Sequence, residues 1–361
     1  MASALLVSGF LALLGGGELL VRGAARLARA WGIAPIMVGL TVVAYGTSAP
    51  ELAVGIAAGA SGARDVALGN VVGSNICNVL LILGLSAAVA PLAVSRRLVR
   101  QDVPVMIGIS GLVLVLGLDG RIGRLDGVLL VLGALTYTVL LLVFARRGGN
   151  QTGAGSAAGG EGMPVPVPGG WRARALDATY IVAGMGLLVF GAGWLIDGAS
   201  EIARALAVSE LVIGLTVVAL GTSLPELATS VVAAFRGERD IAVGNVVGSN
   251  IFNLLAVLGA TGVVTTGGVP VSGAALAFDL PVMLAVAVCC LPIFFTGYAI
   301  ERWEGALFLG YYAVYVALLF LDGTHAQAAH WLRVSVGGFA LPLTAITLAV
   351  IGWRSLRATG R

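Results

Sequence analysis

Residues 39–53 are GLTVVAYGTSAPELA and residues 214–228 are GLTVVALGTSLPELA, so one polar motif occurs twice within apolar sequence. Each copy is followed by a second motif, RDVALGNVVGSNICNVLLILG at 64–84 and RDIAVGNVVGSNIFNLLAVLG at 239–259. The offset is 175 residues throughout, and 30 of the 50 positions in 35–84 are identical in 210–259. Because the identical positions include polar ones, shared apolar composition does not explain the match, and the chain contains an internal repeat.

The composition of the 361-residue chain places this repeat in a membrane protein. Apolar residues make up 58% and charged residues 11%, whereas a soluble domain carries about 45–50% and about 25%. Too few polar side chains exist to cover a water-facing surface, which excludes a soluble domain, a disordered chain and a disulfide scaffold. The net charge of +3 comes from arginines set between apolar stretches, which indicate topology rather than nucleic-acid binding.

Eleven apolar stretches approach the length of about 20 residues that a transmembrane helix needs. They are Leu5–Val21, Ile33–Ala60, Val66–Val94, Val103–Leu118, Val128–Ala145, Ala178–Ile196, Leu211–Phe235, Ile241–Val264, Leu280–Ile300, Gly305–Leu321 and Val334–Trp353. The first stretch lacks the basic segment of a signal peptide and is interpreted as a retained span. The sequence therefore predicts an all-α polytopic membrane protein.

The repeat divides this chain into domains. We expect a first five-helix repeat at 1–145, a flexible Gly- and Pro-rich linker at 146–175, a second five-helix repeat at 176–321, and an extra C-terminal helix with its tail at 322–361. Five spans are an odd number, so the second repeat enters the membrane from the opposite side and the two repeats are inverted. An external N-terminus with a cytoplasmic linker and C-terminus leaves 16 of the 21 arginines on the cytoplasmic side, as the positive-inside rule favours.

Glu51 and Glu226 are the candidate centre of the function. Each is the only charged residue in its apolar stretch, far from either end. A carboxylate at the bilayer centre costs about 2.5–3.5 kcal/mol on the insertion scale, which marks a functional site. The alternative is a protonated glutamate in a helix–helix hydrogen bond, which the repetition of the residue with the same neighbours disfavours.

Pro50 and Pro225 precede these acids and predict a break in each helix. Proline removes one intrahelical donor and clashes with the carbonyl one turn earlier. Main-chain carbonyls near the break can then turn inward, where a dehydrated cation satisfies them. The carbonyls expected to do so include those of Ala44, Thr47, Ala219 and Thr222.

Oxygen-bearing side chains surround the two acids in the predicted site. Ser74 with Asn78, and Ser249 with Asn253, stand at i and i+4 on one helix face. Asn70 and Asn245 fit interhelical hydrogen bonding and ion contact equally well. The candidate ligands are all oxygen donors: Glu51, Glu226, Thr47, Thr222, Ser48, Ser223, Ser74, Ser249, Asn78, Asn253, Ala44 and Ala219. Hard oxygen sites select Ca²⁺, Na⁺ or Mg²⁺ over Zn²⁺ or Cu⁺, and a cage of protein oxygens with two negative charges suits Ca²⁺ best.

The runs GTSAPE, GTSLPE and the two copies of GNVVGSN resemble the repeat signatures of the cation/Ca²⁺ antiporter superfamily, in particular its prokaryotic sodium/calcium exchanger branch. The resemblance implies ten core helices in the inner membrane of a prokaryote, with the second, third, seventh and eighth lining the site. It implies that Glu51, Glu226 and the carbonyls of Thr47 and Thr222 hold Ca²⁺. Sodium would compete there and at flanking sites formed by the carbonyls of Ala44 and Ala219 and the hydroxyls of Ser48, Ser223, Ser74 and Ser249.

The resemblance also implies that the first and sixth helices slide as a gate. The chain departs from part of the family at Asn253, where some relatives carry Asp. Asn at this position resembles members that do not need potassium, and it leaves fewer negative charges for sodium ions.

The sequence therefore predicts a secondary antiporter that exchanges Na⁺ for Ca²⁺ by alternating access, with H⁺/Ca²⁺ antiport as the alternative. An empty site would leave two bare charges in low dielectric, so the gate should move only when cations fill it. An intramembrane enzyme would need a nucleophile–base pair or a histidine cluster. His325 and His330 lie in a connection beside Asp322, which is more typical of a solvated patch than of a zinc site. Inverted repeats with broken helices also disfavour a passive channel, and neither a cofactor nor a protein partner is inferred.

Two further groups of acidic residues receive structural interpretations. Asp102 and Asp279 each stand one residue ahead of a Val-Pro or Leu-Pro pair at matched places in the two repeats, and we expect them to cap helices at the membrane edge. Glu18 has no acidic counterpart in the second half, so we expect it to have a structural or interfacial role.

Overall fold

The computed structural model describes residues 2–61, 64–150, 171–205 and 219–324. These ranges are almost entirely helical, and they include seven helices long and apolar enough to cross a membrane. A bent pair of helices forms one further candidate span. The predicted all-α polytopic class is confirmed, whereas the predicted eleventh span, with His325 and His330, lies outside the described residues.

The described residues of the first half form six helices, numbered in chain order. They are α1 (Ala2–Trp31), α2 (Pro35–Thr47), α3 (Ala49–Ser61), α4 (Arg64–Cys77, continued by a π-helical turn at Asn78–Leu83 and by Gly84–Val89), α5 (Leu98–Asp119) and α6 (Arg124–Asn150). Two short strands flank α5, namely β1 (Leu92–Ala93) and β2 (Arg121–Ile122).

The second half repeats this order. Its helices are α7 (Trp171–Ala205), α8 (Ala219–Thr222), α9 (Leu224–Phe235), α10 (Arg239–Val264), α11 (Ala275–Phe295) and α12 (Arg302–Thr324). Its strands are β3 (Val269–Pro270) and β4 (Ala299–Ile300). Helix α6 continues to Asn150 and α7 begins at Trp171, so both helices extend beyond the predicted edges of the linker, because the apolar span alone does not mark where helical backbone ends.

The two predicted helix breaks fall at serines. Ser48 separates α2 from α3 with φ −85° and ψ 9°, and Ser223 separates α8 from α9 with φ −87° and ψ 4°. The bend between α2 and α3 is 43°. Pro50 and Pro225 each fall in the first turn of the helix that follows, where proline's missing N–H is not needed.

Contacts between the halves are reciprocal. Strand β1 pairs antiparallel with β4, and β2 pairs antiparallel with β3. In the repeat, β1 corresponds to β3 and β2 corresponds to β4. Exchanging the two halves therefore converts the β1–β4 pair into the β3–β2 pair. Reciprocal contacts of this kind are the mark of a two-fold relation.

Glycines bring α1 and α7 together along their lengths. A Cβ atom added at Gly184 would lie 2.6 Å from the main-chain nitrogen of Leu20, and one at Gly191 would lie 2.9 Å from Cβ of Ala12. Gly16 on α1 is equally close to the backbone of α7. The two helices therefore touch backbone to backbone, as small residues allow in membranes.

The expected capping role of Asp102 and Asp279 is wrong. Neither side chain caps a helix, because a π-helical turn precedes each residue and its own backbone is already helical. Asp102 instead accepts a hydrogen bond of 2.9 Å from the hydroxyl of Tyr137, and Asp279 accepts one of 3.1 Å from Tyr315. These matched bonds connect α5 to α6 and α11 to α12.

Glu18 has the structural role expected of it. Its carboxylate contacts Arg22 on α1 and Arg236 at the end of α9. Two further ion pairs lie on the same side, Arg26 with Asp177 at 3.0 Å and Arg29 with Glu238 at 3.5 Å. The C-terminal end of α1, the start of α7 and the α9–α10 connection therefore meet on one side of the protein.

Candidate functional site

Glu51 and Glu226 are both fully buried, with 0% of either side chain exposed, in the first turns of α3 and α9. A serine from the opposite half contacts each one. The Ser48 hydroxyl donates to Oε1 of Glu226 at 2.8 Å, and the Ser223 hydroxyl donates to Oε1 of Glu51 at 3.3 Å. The break thus places both acids at helix N-termini, where the helix dipole stabilises negative charge.

The serines of α4 and α10 differ in their contacts. The Ser223 hydroxyl lies 3.2 Å from that of Ser74, so Ser74 joins the group around Glu51. Ser249, its counterpart in the second half, is fully buried, and its hydroxyl oxygen has no hydrogen-bond partner among the described residues. The Ser249 oxygen is therefore available to a ligand.

Asn70 and Asn245 form the interhelical hydrogen bonds that one of the two sequence-based interpretations expects. Asn245 accepts from the Thr47 hydroxyl at 3.1 Å and donates to the main-chain oxygen of Glu226 at 3.4 Å. Asn70 accepts from Thr222 at 3.3 Å and donates to the main-chain oxygen of Glu51 at 3.3 Å. Asn245 thereby connects the break of the first half to the turn that carries Glu226, and Asn70 connects the break of the second half to the turn that carries Glu51.

The main-chain carbonyls near the two breaks differ. The Ala44 carbonyl accepts a hydrogen bond from the Ser48 amide at 3.0 Å, and the Thr47 hydroxyl, which donates to Asn245, lies 3.3 Å from it. In the second half, the Ser223 amide donates instead to Leu220, one residue beyond Ala219, at 3.1 Å. The Ala44 carbonyl therefore keeps a main-chain partner across the first break, and the two breaks differ in which carbonyl the serine amide bonds.

Asn78 and Asn253 bond across the contact between α4 and α10. Nδ2 of Asn78 donates to Oδ1 of Asn250 at 2.9 Å, and Nδ2 of Asn253 donates to Oδ1 of Asn75 at 3.3 Å. Sequence reasoning did not include Asn75 and Asn250 among the site residues. The signal was present, because the last residue of GNVVGSN recurs in both copies.

Thr229 is a further buried hydroxyl that the sequence reasoning missed. It stands one turn after Glu226, is 0% exposed, and its oxygen has no hydrogen-bond partner within the described part of the chain. The first half carries Val54 at the matching position, so comparing the two copies at the 175-residue offset reveals the added hydroxyl.

Five buried oxygens of the predicted ligands have no hydrogen-bond partner among the described residues. They are Oε2 of Glu51, Oε2 of Glu226, Oδ1 of Asn78, Oδ1 of Asn253 and Oγ of Ser249. Buried polar atoms are normally paired, so these unpaired acceptors are the atoms of the predicted ligands that a cation could satisfy. All five are hard oxygen donors, which match Ca²⁺ or Na⁺ rather than a thiophilic metal. No cluster of three His, Cys, Asp or Glu side chains occurs in the described ranges.

The comparisons with known proteins agree with this geometry. The family model described as "Sodium/calcium exchanger protein" matches residues 1–146 and 177–321. Inner membrane protein YrbG of Escherichia coli is 37% identical over 89% of this chain and 97% of its own length. Sodium/calcium exchanger MaX1 of Methanosarcina acetivorans is 32% identical over 88% of this chain and 97% of its own length.

Solved structures show the same fold. The sodium/calcium exchanger from Methanococcus jannaschii superposes with a TM-score of 0.73 at 30% identity, covering 87% of this chain and 96% of that one. The family match spans most of the chain, including both GTS-x-PE motifs, and confirms the predicted membership of the cation/Ca²⁺ antiporter superfamily. The chain therefore belongs to the sodium/calcium exchanger protein family, a family of membrane transporters.

Proposed function

We propose that this protein is a secondary active antiporter that exchanges Na⁺ for Ca²⁺ by alternating access at one shared site. The observation that carries the proposal is the pair of fully buried acids, Glu51 and Glu226, each with a carboxylate oxygen that no described residue bonds. Two carboxylates balance one Ca²⁺ or two Na⁺, so the ions compete for the same negative charge. Neutral amide, hydroxyl and carbonyl oxygens complete a site that needs few waters, which favours Ca²⁺ over Mg²⁺.

The proposed ligands are the residues that the sequence singled out. Glu51 and Glu226 hold Ca²⁺ with the carbonyls of Thr47 and Thr222. Sodium uses the same carboxylates and the flanking oxygens of Ser48, Ser223, Ser74, Ser249, Asn78, Asn253, Ala44 and Ala219. An empty pair of carboxylates in low dielectric is costly, so movement of the gate is coupled to occupancy and leak is suppressed.

We propose that α1 and α7 form the gate. Their glycine contacts make them one packing unit, and α1 also contacts the acid-bearing helix, since a Cβ at Gly17 would lie 3.2 Å from the main-chain oxygen of Ala228 on α9. Sliding of this pair past α3 and α9 would expose the acids to either side in turn. The distribution of arginines over the predicted loops supports an external N-terminus and a cytoplasmic linker.

Flux measurements in proteoliposomes test the proposal. We expect labelled Ca²⁺ to enter Na⁺-loaded vesicles when the pH is clamped on both sides, and to enter poorly without Na⁺. Glu51→Gln and Glu226→Gln should each abolish uptake, because either change removes half of the charge that balances Ca²⁺. Glu201→Gln is the matched control, since Glu201 is exposed on α7.

The outcomes separate the alternatives. If Ca²⁺ uptake depends on a pH gradient and not on Na⁺, the counter-ion is the proton, and the same two acids would carry it. Currents through single channels without exchange would exclude an antiporter. Full uptake in both glutamine variants would show that the acids do not bind the ion.

A further inference from the structure

Four asparagines form a closed hydrogen-bonded group where α4 meets α10. Asn75 and Asn78 come from the first half, and Asn250 and Asn253 from the second; none is more than 3% exposed. A carboxamide has two donors on one side and one acceptor oxygen on the other. If the NH₂ group of an amide bonds to one partner, its oxygen faces the neighbour on the other side, and the reverse also holds.

Two main-chain carbonyls fix the orientation of the inner pair. Nδ2 of Asn250 donates to the main-chain oxygen of Asn75 at 3.3 Å, and Nδ2 of Asn75 donates to the main-chain oxygen of Asn250 at 3.4 Å. A carbonyl accepts and never donates, so only the NH₂ side of each amide fits against it. The same NH₂ groups face the weakly accepting sulfurs of Met106 and Met283.

The orientation of the inner pair determines that of the outer pair. Oδ1 of Asn250 must point towards Asn78, and Oδ1 of Asn75 must point towards Asn253. Each outer residue therefore presents Nδ2, at 2.9 Å and 3.3 Å. Rotating an outer amide by half a turn would place oxygen against oxygen. Oδ1 of Asn78 and Oδ1 of Asn253 consequently face elsewhere, and neither has a donor among the residues that the structure describes.

We propose that Asn75 and Asn250 are positioning residues that act through the opposite half's ligand amide. Asn250 holds the oxygen of Asn78 towards the cation, and Asn75 holds the oxygen of Asn253 in the same way. This inference rests on the proposed function. Without the inner pair, an outer amide could present its NH₂ group to the site, where its partial positive charge repels the ion.

The competing interpretation is that the inner asparagines only fasten α4 to α10. Double-mutant cycles separate the two, because positioning acts through one named partner. Alanine at residue 250 removes the amide that orients Asn78 but keeps the main-chain carbonyl that anchors Asn75. The second pair, Asn75 with Asn253, therefore remains intact and serves as an internal control.

The readout is exchange of labelled external Ca²⁺ for unlabelled internal Ca²⁺ in proteoliposomes, which requires no assumption about the counter-ion. We expect Asn250→Ala to raise the Ca²⁺ concentration for half-maximal exchange by about 10–100-fold, as loss of an outer-shell partner does at metal sites. Asn78→Ala should do the same. The double variant Asn78→Ala/Asn250→Ala should match Asn78→Ala, whereas Asn253→Ala/Asn250→Ala should show the product of its two single effects.

Multiplication of effects in both double variants would overturn the proposal, as would an unchanged half-maximal concentration in Asn250→Ala. If Asn250→Ala does not fold, the mirror-image cycle with Asn75→Ala provides the test without changing any charge. Positioning predicts that Asn75→Ala/Asn253→Ala matches Asn253→Ala and that Asn75→Ala/Asn78→Ala shows the product of its single effects, whereas a fastening role predicts multiplication in both. Glu51→Gln is measured in parallel as a separate test of the proposed function. If Glu51→Gln abolishes exchange, the proposed function is supported, and the asparagine variants then test only the positioning role.

Discussion

The Ser48 hydroxyl lies 2.8 Å from Oε1 of Glu226, a residue 178 positions further along the chain. The reciprocal bond joins Ser223 to Oε1 of Glu51 at 3.3 Å. Each break therefore performs two tasks, because the residue that interrupts one helix also orients the acid of the other half. Oε1 of each acid is bonded to a hydroxyl, whereas Oε2 has no hydrogen-bond partner among the described residues and is the oxygen that we propose meets the cation.

Removing these hydroxyls should weaken ion binding unequally. A hydrogen bond to a charged group contributes about 1.5–3 kcal/mol, and the shorter bond should contribute more. We expect Ser48→Ala to raise the half-maximal Ca²⁺ concentration by at least about tenfold, and Ser223→Ala to raise it by less. Initial rates of Ca²⁺ exchange over a range of concentrations measure both.

Ser110→Ala is the control for this pair of variants. Ser110 is also buried, but its hydroxyl bonds within its own helix to the carbonyl of Met106. Equal effects from Ser48→Ala and Ser110→Ala would mean that the loss comes from burial of a serine and not from its contact with Glu226.

Much of this site could be predicted from sequence because the repeat presents its chemistry twice. Two isolated acids next to Pro50 and Pro225 specified both the break and the charge, and the structure places Ser48 and Ser223 at those breaks. The orientation of an amide is different, since it depends on which atoms face it across another helix. The recurrence of Asn75 as Asn250 marked the position, but it did not show the partners that orient the amide.

The error at Asp102 has a related cause. An acid shortly before a proline favours a helix start, and the sequence does not show that a π-helical turn extends the helix back to Leu98. Tyr137, which bonds to Asp102, lies 35 positions away on another helix. Thr229 was missed for a different reason. The sequence argument considered residues that occur in both copies of the repeat, and Thr229 occurs only in the second.

Asn245 and Asn70 should differ in their contribution to stability. Among the described residues, Asn245 bonds to Thr47, to the Glu226 carbonyl and to the Ser230 hydroxyl, whereas Asn70 bonds to Thr222 and the Glu51 carbonyl. Interhelical hydrogen bonds in membranes contribute about 0.6 kcal/mol each on average and about 1.7 kcal/mol at most. We expect Asn245→Ala to lower the unfolding temperature in detergent more than Asn70→Ala does. Equal effects would mean that the third bond contributes nothing, and the reverse order would contradict the prediction.

Calcium should stabilise the protein and magnesium should not. Ligand binding to the folded state adds about 2.7 kcal/mol when the ligand is at 100 times its Kd. We expect Ca²⁺ to raise the unfolding temperature in detergent, and equal Mg²⁺ to have little effect, because Mg²⁺ retains waters that a cage of protein oxygens excludes. Glu51→Gln should remove the Ca²⁺ response. An equal response to both ions in the native chain would contradict a dehydrated site.

The last prediction concerns the packing of α1 against α7. A Cβ at Gly191 would lie 2.9 Å from Cβ of Ala12 and 3.0 Å from the main-chain oxygen of Gly9, so the helices must separate to admit it. Gly193 is two residues further along α7, and a Cβ there meets nothing within 4 Å. Overpacking of a close contact costs about 1–3 kcal/mol, so Gly191→Ala should lower the unfolding temperature.

Gly193→Ala is the matched control, since it makes the same chemical change on the same helix and should leave the unfolding temperature unchanged. If α1 and α7 move together as the gate, Gly191→Ala should also slow Ca²⁺ exchange at saturating Ca²⁺ without changing the half-maximal concentration, because neither helix contributes a proposed ligand. A raised half-maximal concentration with an unchanged maximal rate would instead place the effect at the ion site and argue against a gate built from this pair.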